Sequence, residues 1–88
     1  MDERRLDGNA AGGILGEIFA FEMTTARAAC TSCGSISRVG QMMLYAHEMG
    51  TILRCATCDN PLIRVARGEG RYWLDLRGVE YLQIAGEP

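Results

Sequence analysis

"CTSCG" at residues 30–34 and "CATCDNP" at residues 55–61 hold all four cysteines of an 88-residue chain. The pattern is Cys30-x2-Cys33, then 21 residues, then Cys55-x2-Cys58. Two residues between cysteines let one tight turn aim both sulfurs at a common point. The N–H groups of that turn can also offset the thiolate charge. The residue after the second cysteine often needs a positive φ. Gly34 supplies it in the first turn, and Asp59 and Asn60 tolerate it in the second, where Pro61 then directs the chain into a strand. The spacer is long enough for a strand, a turn and a returning strand, which brings the second pair back beside the first. Four sulfurs then close a tetrahedron around one ion, at about 2.3 Å each. A lone CxxC carries little, whereas two with a hairpin-length spacer and no spare cysteine carry much. Cys30, Cys33, Cys55 and Cys58 are therefore the expected metal ligands. A thiol–disulfide exchange site would want one reactive pair opening a helix in a βαβ setting, which this sequence lacks.

A sulfur-only tetrahedral shell suits Zn(II), one ion per chain, and also a single redox-active iron. The turns resemble those of both zinc ribbons and rubredoxins. Rubredoxins usually carry Gly and an aromatic after the first pair, and Pro and Gly in the second turn. Here Ser35 and Ile36 follow Gly34, and Ala56 and Asp59 stand in the second turn. Zinc is the expected ion and iron the alternative. A closed four-sulfur shell leaves no open position for water, which argues against metal-based hydrolysis. Structural zinc would contribute folding free energy on the order of 10 kcal/mol, a staple for a core this small.

The length allows one domain with a marginal core, and 48% hydrophobic content excludes wholesale disorder. The formal charge is −2, and a divalent ion held by four thiolates brings the total to about −4. That sign argues against nucleic-acid binding by counterion release. All nine basic residues are arginine. No signal peptide or membrane-spanning stretch is legible, so a cytoplasmic protein with reduced thiols is expected.

Residues 1–6 read as a flexible polar tail and residues 7–88 as a single domain. Asp7 or Asn9 can cap a short helix whose apolar face is Ile14, Leu15, Ile18 and Phe19. "AFEMTTARAAC" reads as a first strand leading into Cys30. "SRVGQMMLYAHEM" supplies a second near residues 38–47, and "GTILRC" a third after the turn at Glu48-Met49-Gly50. "PLIRVARGEGRYWLDLRG" is the clearest hairpin, with Leu62–Arg67 and Arg71–Arg77 flanking Gly68-Glu69-Gly70. "VEYLQI" adds a last strand with Val79 and Tyr81 on one face. The run Met42-Met43-Leu44-Tyr45 cannot bury both faces unless the helix, a second copy or a partner covers one of them.

His47 is the only histidine and reads as a surface residue beside a turn. No nucleophilic triad is legible, and no catalytic or further cofactor-binding residue is expected. Glu69, between Arg67 and Arg71, reads as a solvated hairpin tip. Arg64, Arg67, Arg71 and Arg77 with Tyr72 and Trp73 would make a basic aromatic patch, but strand alternation splits the arginines between two faces. Arg54, directly before Cys55, is placed to offset thiolate charge.

Taken together, "DGNAAGGILGEIF", "CTSCG", "CATCDNPLIRV" and "RYWLDLRGVEYLQI" resemble a small family of actinobacterial zinc-ribbon-like proteins without an established activity. The resemblance spans nearly residues 7–84, and its distinctive parts are the "DGNA" start and the "WLDLRGV" ending. It implies a metal-binding β-domain with Cys30, Cys33, Cys55 and Cys58 as ligands. It also implies a protein partner, an oxidoreductase foremost, because members look to be encoded beside flavin-dependent reductases and molybdopterin oxidoreductases. The expected architecture is mainly β (small α+β): a zinc-ribbon or rubredoxin-like antiparallel sheet with one short amino-terminal helix. The expected function is that of a zinc-binding, non-catalytic accessory protein presenting its hairpin or helix to a protein partner or a second copy. A rubredoxin-like iron electron carrier and a nucleic-acid-binding ribbon are the alternatives.

Overall fold

The computed structural model describes residues 4–19, 22–46 and 50–84. The chain folds into two antiparallel sheets. Strands β1 (Arg4–Asp7), β4 (Met43–Ala46), β5 (Gly50–Arg54), β6 (Pro61–Gly68) and β7 (Arg71–Asp75) form the larger sheet, side by side in that order. Strands β3 (Ile36–Arg38), β2 (Arg27–Cys30) and β8 (Val79–Gln83) form the smaller, with β2 in the middle. One helix, α1 (Gly12–Ile18), and three short 3-10 turns link them. The architecture is thus mainly antiparallel β with one short helix, as the alternation patterns imply.

The core between these layers is built from Leu15, Val39, Met42, Leu53, Leu62 and Ile63, all essentially inaccessible. Ile14, Ile18 and Phe19 pack against it from α1, so the helix presents the apolar face that its spacing predicts. Its start differs from expectation. The residue before the helix is Ala11, in a right-handed conformation and without a side-chain cap. A 3-10 turn over Gly8–Ala11 runs straight into α1, so the helical backbone is continuous from Gly8 and Asn9 lies inside it rather than before it.

Three further expectations are corrected. Arg4, Arg5 and Leu6, assigned to the tail, lie in β1, which pairs with β4 and sets Leu6 opposite Leu44. The strand expected before Cys30 begins only at Arg27. Met23–Thr25 forms a 3-10 turn instead, because the Glu22 carboxylate accepts the Thr24 N–H (3.0 Å) and caps it. The single strand expected over residues 38–47 is interrupted by a 3-10 turn at Val39–Gln41. There the Gln41 side chain accepts the Arg38 N–H (3.0 Å), and the chain passes from the smaller sheet to the larger. His47, Glu48, Met49 and Phe21 lie outside the described residues.

The second face of the methionine-rich run is half covered. Met42 and Leu44 enter the core, while Tyr45 lies under the Arg54 guanidinium, 5.6 Å from the ring centroid. The β6–β7 hairpin closes through a two-residue turn in which Glu69 (φ 53°) and Gly70 (φ 74°) both take left-handed backbone, the geometry of a type I′ turn. In β8 the burial phase is the reverse of the expected one at Tyr81, which is 47% exposed. A register shift opposite Ala29–Cys30 leaves Glu80 unpaired. Val79 packs on the core before the shift, and Leu82 and Ile84 after it.

Candidate metal centre

The two cysteine turns grow from different sheets. Cys30 ends β2, the central strand of the smaller sheet, and Cys33 lies in the turn that follows. Cys55 follows β5, and the second turn delivers the chain through Cys58 to Pro61 at the start of β6. Their backbones repeat one frame. The Gly34 N–H donates to the Cys30 carbonyl (2.9 Å), and the Asp59 N–H to that of Cys55 (2.8 Å). The Cys30 N–H donates to the Ser35 carbonyl (3.0 Å), and the Cys55 N–H to that of Asn60 (2.9 Å). Gly34 (φ 79°) and Asp59 (φ 67°) hold the left-handed position that the sequence assigns to them.

All four sulfurs lie within 4.8 Å of one another. Cys30 Sγ stands 3.6 Å from Cys58 Sγ, and Cys33 Sγ stands 3.7 Å from Cys55 Sγ. A tetrahedron with metal–sulfur bonds of about 2.3 Å has edges of about 3.8 Å, so the cluster fits one ion of zinc or iron size. The thiols are free. Cys30 and Cys55 are buried, and Cys33 and Cys58 face solvent. Each turn therefore contributes one inner and one outer sulfur.

The inner pair receives hydrogen bonds from both turns. The Ser32 N–H points at Cys30 Sγ and the Thr57 N–H at Cys55 Sγ, both at 3.4 Å. The turns also reach across to each other. The Asn60 amide donates to Cys30 Sγ (3.6 Å), and the Ser35 hydroxyl lies 3.6 Å from Cys55 Sγ. Burial raises the Cys55 thiol, but the N–H groups of Cys58 and Thr57 and the Ser35 hydroxyl outweigh it and bring it down to about 6. Cys30 moves down for the same kind of reason, burial being overcome by the N–H groups of Cys33 and Ser32. For Cys58 the Asn60 N–H acts downward. Burial and the sulfurs of Cys30, Cys33 and Cys55 prevail and push it up to about 11. The inner sulfurs are thus both moved toward the thiolate, Cys55 to about 6, while Cys58 is moved the other way.

Ser35 and Asn60 were missed as site residues. Their signal was present: each stands two positions after the second cysteine of its turn. Arg54 is near the site as expected, but acts on the turn itself, donating to the Asp59 carbonyl (3.1 Å). Gly78 locks the first turn from outside. Its carbonyl accepts the Thr31 N–H (3.0 Å), and a Cβ there would come within 1.8 Å of the Pro61 carbonyl oxygen. The link between β7 and β8 therefore crosses the start of β6 at van der Waals contact, and glycine alone permits it.

The remaining candidates do not converge. Glu69 is a hairpin tip. Arg67 is paired with Glu17 of α1 (2.7 Å), whose carboxylate also accepts the Tyr72 hydroxyl (2.5 Å). These bonds, Tyr72 first, hold the Glu17 carboxyl below its usual range. Arg77 is paired with Asp75 (2.8 Å). Two of the four arginines of the imagined basic patch are thus neutralised by neighbours. No helix among the described residues is long and apolar enough to cross a membrane.

No curated protein and no solved structure matches the chain, so the likeness of the cysteine turns to zinc ribbons and rubredoxins has no structural neighbour behind it. Over residues 1–87 the chain matches, and so belongs to, a family of unknown function (DUF6510).

Proposed function

We propose that this chain is a zinc-binding, non-catalytic accessory protein of the cytoplasm, a zinc-ribbon-like module that presents its β6–β7 hairpin to a protein partner. The observation that carries the reading is the closed shell of Cys30, Cys33, Cys55 and Cys58, supplied by two turns of one design from two different sheets. An ion in that shell ties the two sheets together. It offers no open coordination position for a substrate, so its contribution is to folding rather than to chemistry. The exposed Tyr72, Trp73 and Leu74 of β7 support the hairpin as the presenting surface.

One specific observation favours a second reading, an iron electron carrier of rubredoxin type serving an oxidoreductase. Two ligands, Cys33 and Cys58, are solvent-facing, and N–H groups are directed at the inner sulfurs. Against a nucleic-acid-binding ribbon stand the net charge and the pairing of Arg67 and Arg77. Elemental analysis of protein purified without added metal separates the readings. One zinc per chain in colourless protein supports the first. One iron with a visible absorption band replaces it with the second.

A further inference from the structure

Strand β7 ends the order of the larger sheet, and among the described residues no strand pairs on its outer side. Natural edge strands are usually blunted by charge, proline or a covering loop. This one carries Tyr72, Trp73 and Leu74 in succession, all exposed, with Trp73 54% accessible. The two-residue turn makes Gly68 and Arg71 a hydrogen-bonded pair, so Arg71, Trp73 and Asp75 direct their backbone groups to β6. Tyr72 and Leu74 consequently direct their N–H and C=O groups outward. Beside the strand, Trp73 borders an apolar groove of about 300 Å³ shared with Ile52, Ala66 and Gly50.

The sequence of β7, Arg-Tyr-Trp-Leu-Asp, is complementary to itself when reversed. In antiparallel register about Trp73, Arg71 faces Asp75, Tyr72 faces Leu74 and Trp73 faces Trp73. The Arg71–Asp75 and Trp73–Trp73 pairs are stabilising kinds of cross-strand pair, and Tyr72 with Leu74 adds apolar contact. The same register sets the outward groups of Tyr72 against those of Leu74, which closes a hydrogen-bonded pair on each side of the axis. Shifting the two strands by two residues keeps the hydrogen-bond phase but separates the charges. Arg71 has no ion-pair partner among the described residues, and Asp75, which already holds Arg77, would be shared between Arg77 of its own chain and Arg71 of the second copy. We infer that β7 pairs antiparallel with β7 of a second copy about a twofold axis through Trp73, joining two larger sheets into one. The inference deepens the reading of the hairpin as a presenting surface and names its occupant as this same chain.

Five residues a side is a small interface, so the dimer is expected to dissociate on dilution. Sedimentation equilibrium of the metal-loaded protein between about 1 µM and 1 mM should show the mass rise from one chain to two. Trp73 is the only tryptophan, and its emission should shift to the blue and its quenching by acrylamide fall over the same range. Arg71→Asp places like charges opposite Asp75 at both ends and should weaken association at least tenfold while metal content stays at the wild-type value. Arg71→Asp with Asp75→Arg restores the complement across the axis while costing Arg77 its partner within the chain, and should associate more tightly than Arg71→Asp alone. A wild-type chain that stays monomeric at 1 mM overturns the inference, as does a double variant no tighter than Arg71→Asp alone. Metal content is measured in the same samples, so a failure of the zinc reading shows there and not in the mass.

Discussion

The first cysteine turn follows the central strand of a three-stranded sheet, while the second joins two neighbouring strands of a five-stranded one. Both close with the same hydrogen bonds, bury the first sulfur and expose the second. What surrounds them differs. The first uses glycine at its left-handed position and leans on Gly78 from the β7–β8 link. The second uses Asp59 there, and Arg54 of the preceding strand clamps that residue's carbonyl. One hydrogen-bond frame fixes the backbone of both turns, and each sheet supplies its own means of holding that backbone. The largest test asks whether the inner and outer sulfurs of these turns are equal as ligand donors. Cys30→Ser or Cys55→Ser should reduce bound metal from one ion per chain to near none and remove most of a contribution on the order of 10 kcal/mol. Cys33→Ser and Cys58→Ser, at exposed sulfurs, should retain weak metal binding and lose less. Metal analysis and thermal unfolding by circular dichroism check the order. Inner and outer variants with equal losses would break the division into inner and outer ligands.

Proton release probes the same division without a substitution. In the metal-free site Cys55 lies at about 6 and Cys58 at about 11. At neutral pH, then, Cys58 holds its proton until the ion displaces it. Loading the metal should acidify a weakly buffered solution, and apparent affinity should fall as pH falls and protons compete for the sulfurs. Affinity that does not change between pH 8 and 6 would remove the sulfurs as the binding groups.

The external support of the first turn is the next target. Gly78→Ala forces a Cβ onto the Pro61 carbonyl, and relief requires the β7–β8 link to lift away from the Thr31 N–H. The expected cost is about 2–3 kcal/mol, read as a lower unfolding midpoint, with weaker metal retention against a chelator. A variant as stable as wild type would mean that the link does not brace the site.

How much of this was legible follows from how local each determinant is. The cysteine spacing and the left-handed positions at Gly34 and Asp59 are set within a few residues, and the sequence displays them. The β6–β7 hairpin is likewise local, and its strands fall near their expected places, with Gly68 joining β6 and β7 ending at Asp75 rather than Arg77. The strand breaks at Met23–Thr25 and Val39–Gln41 were not legible. Each depends on one side chain, Glu22 or Gln41, choosing to bond the backbone over the alternation around it. The phase of β8 depends on a register shift against β2, a partner about 50 residues earlier in the chain. β1 was hidden for a similar reason, because a four-residue polar-looking segment becomes a strand only when β4 is beside it. Ser35 and Asn60 show the reverse case: equivalent positions were visible, but their crossing from one turn to the other's sulfur needs the turns face to face.

The smallest prediction exchanges the left-handed residues, where the turns differ in kind. At Gly34 any side chain adds the steric cost of left-handed backbone, about 1–2 kcal/mol, so Gly34→Ala should lower the unfolding midpoint. At Asp59 that cost is already present, softened because Asp tolerates the conformation better than most residues. Asp59→Gly removes it and also removes a carboxylate beside four thiolates. The Arg54 bond is kept, since it is made to the backbone carbonyl. Glycine's larger unfolded-state entropy opposes these gains, so the net effect should be stabilising by about 0.5 kcal/mol. The two substitutions address the same position of the same backbone frame and should have opposite signs. Equal signs in paired thermal unfolding measurements would show that the turns are not conformationally equivalent, and that their shared hydrogen bonds do not impose the same demand on the residue after the second cysteine.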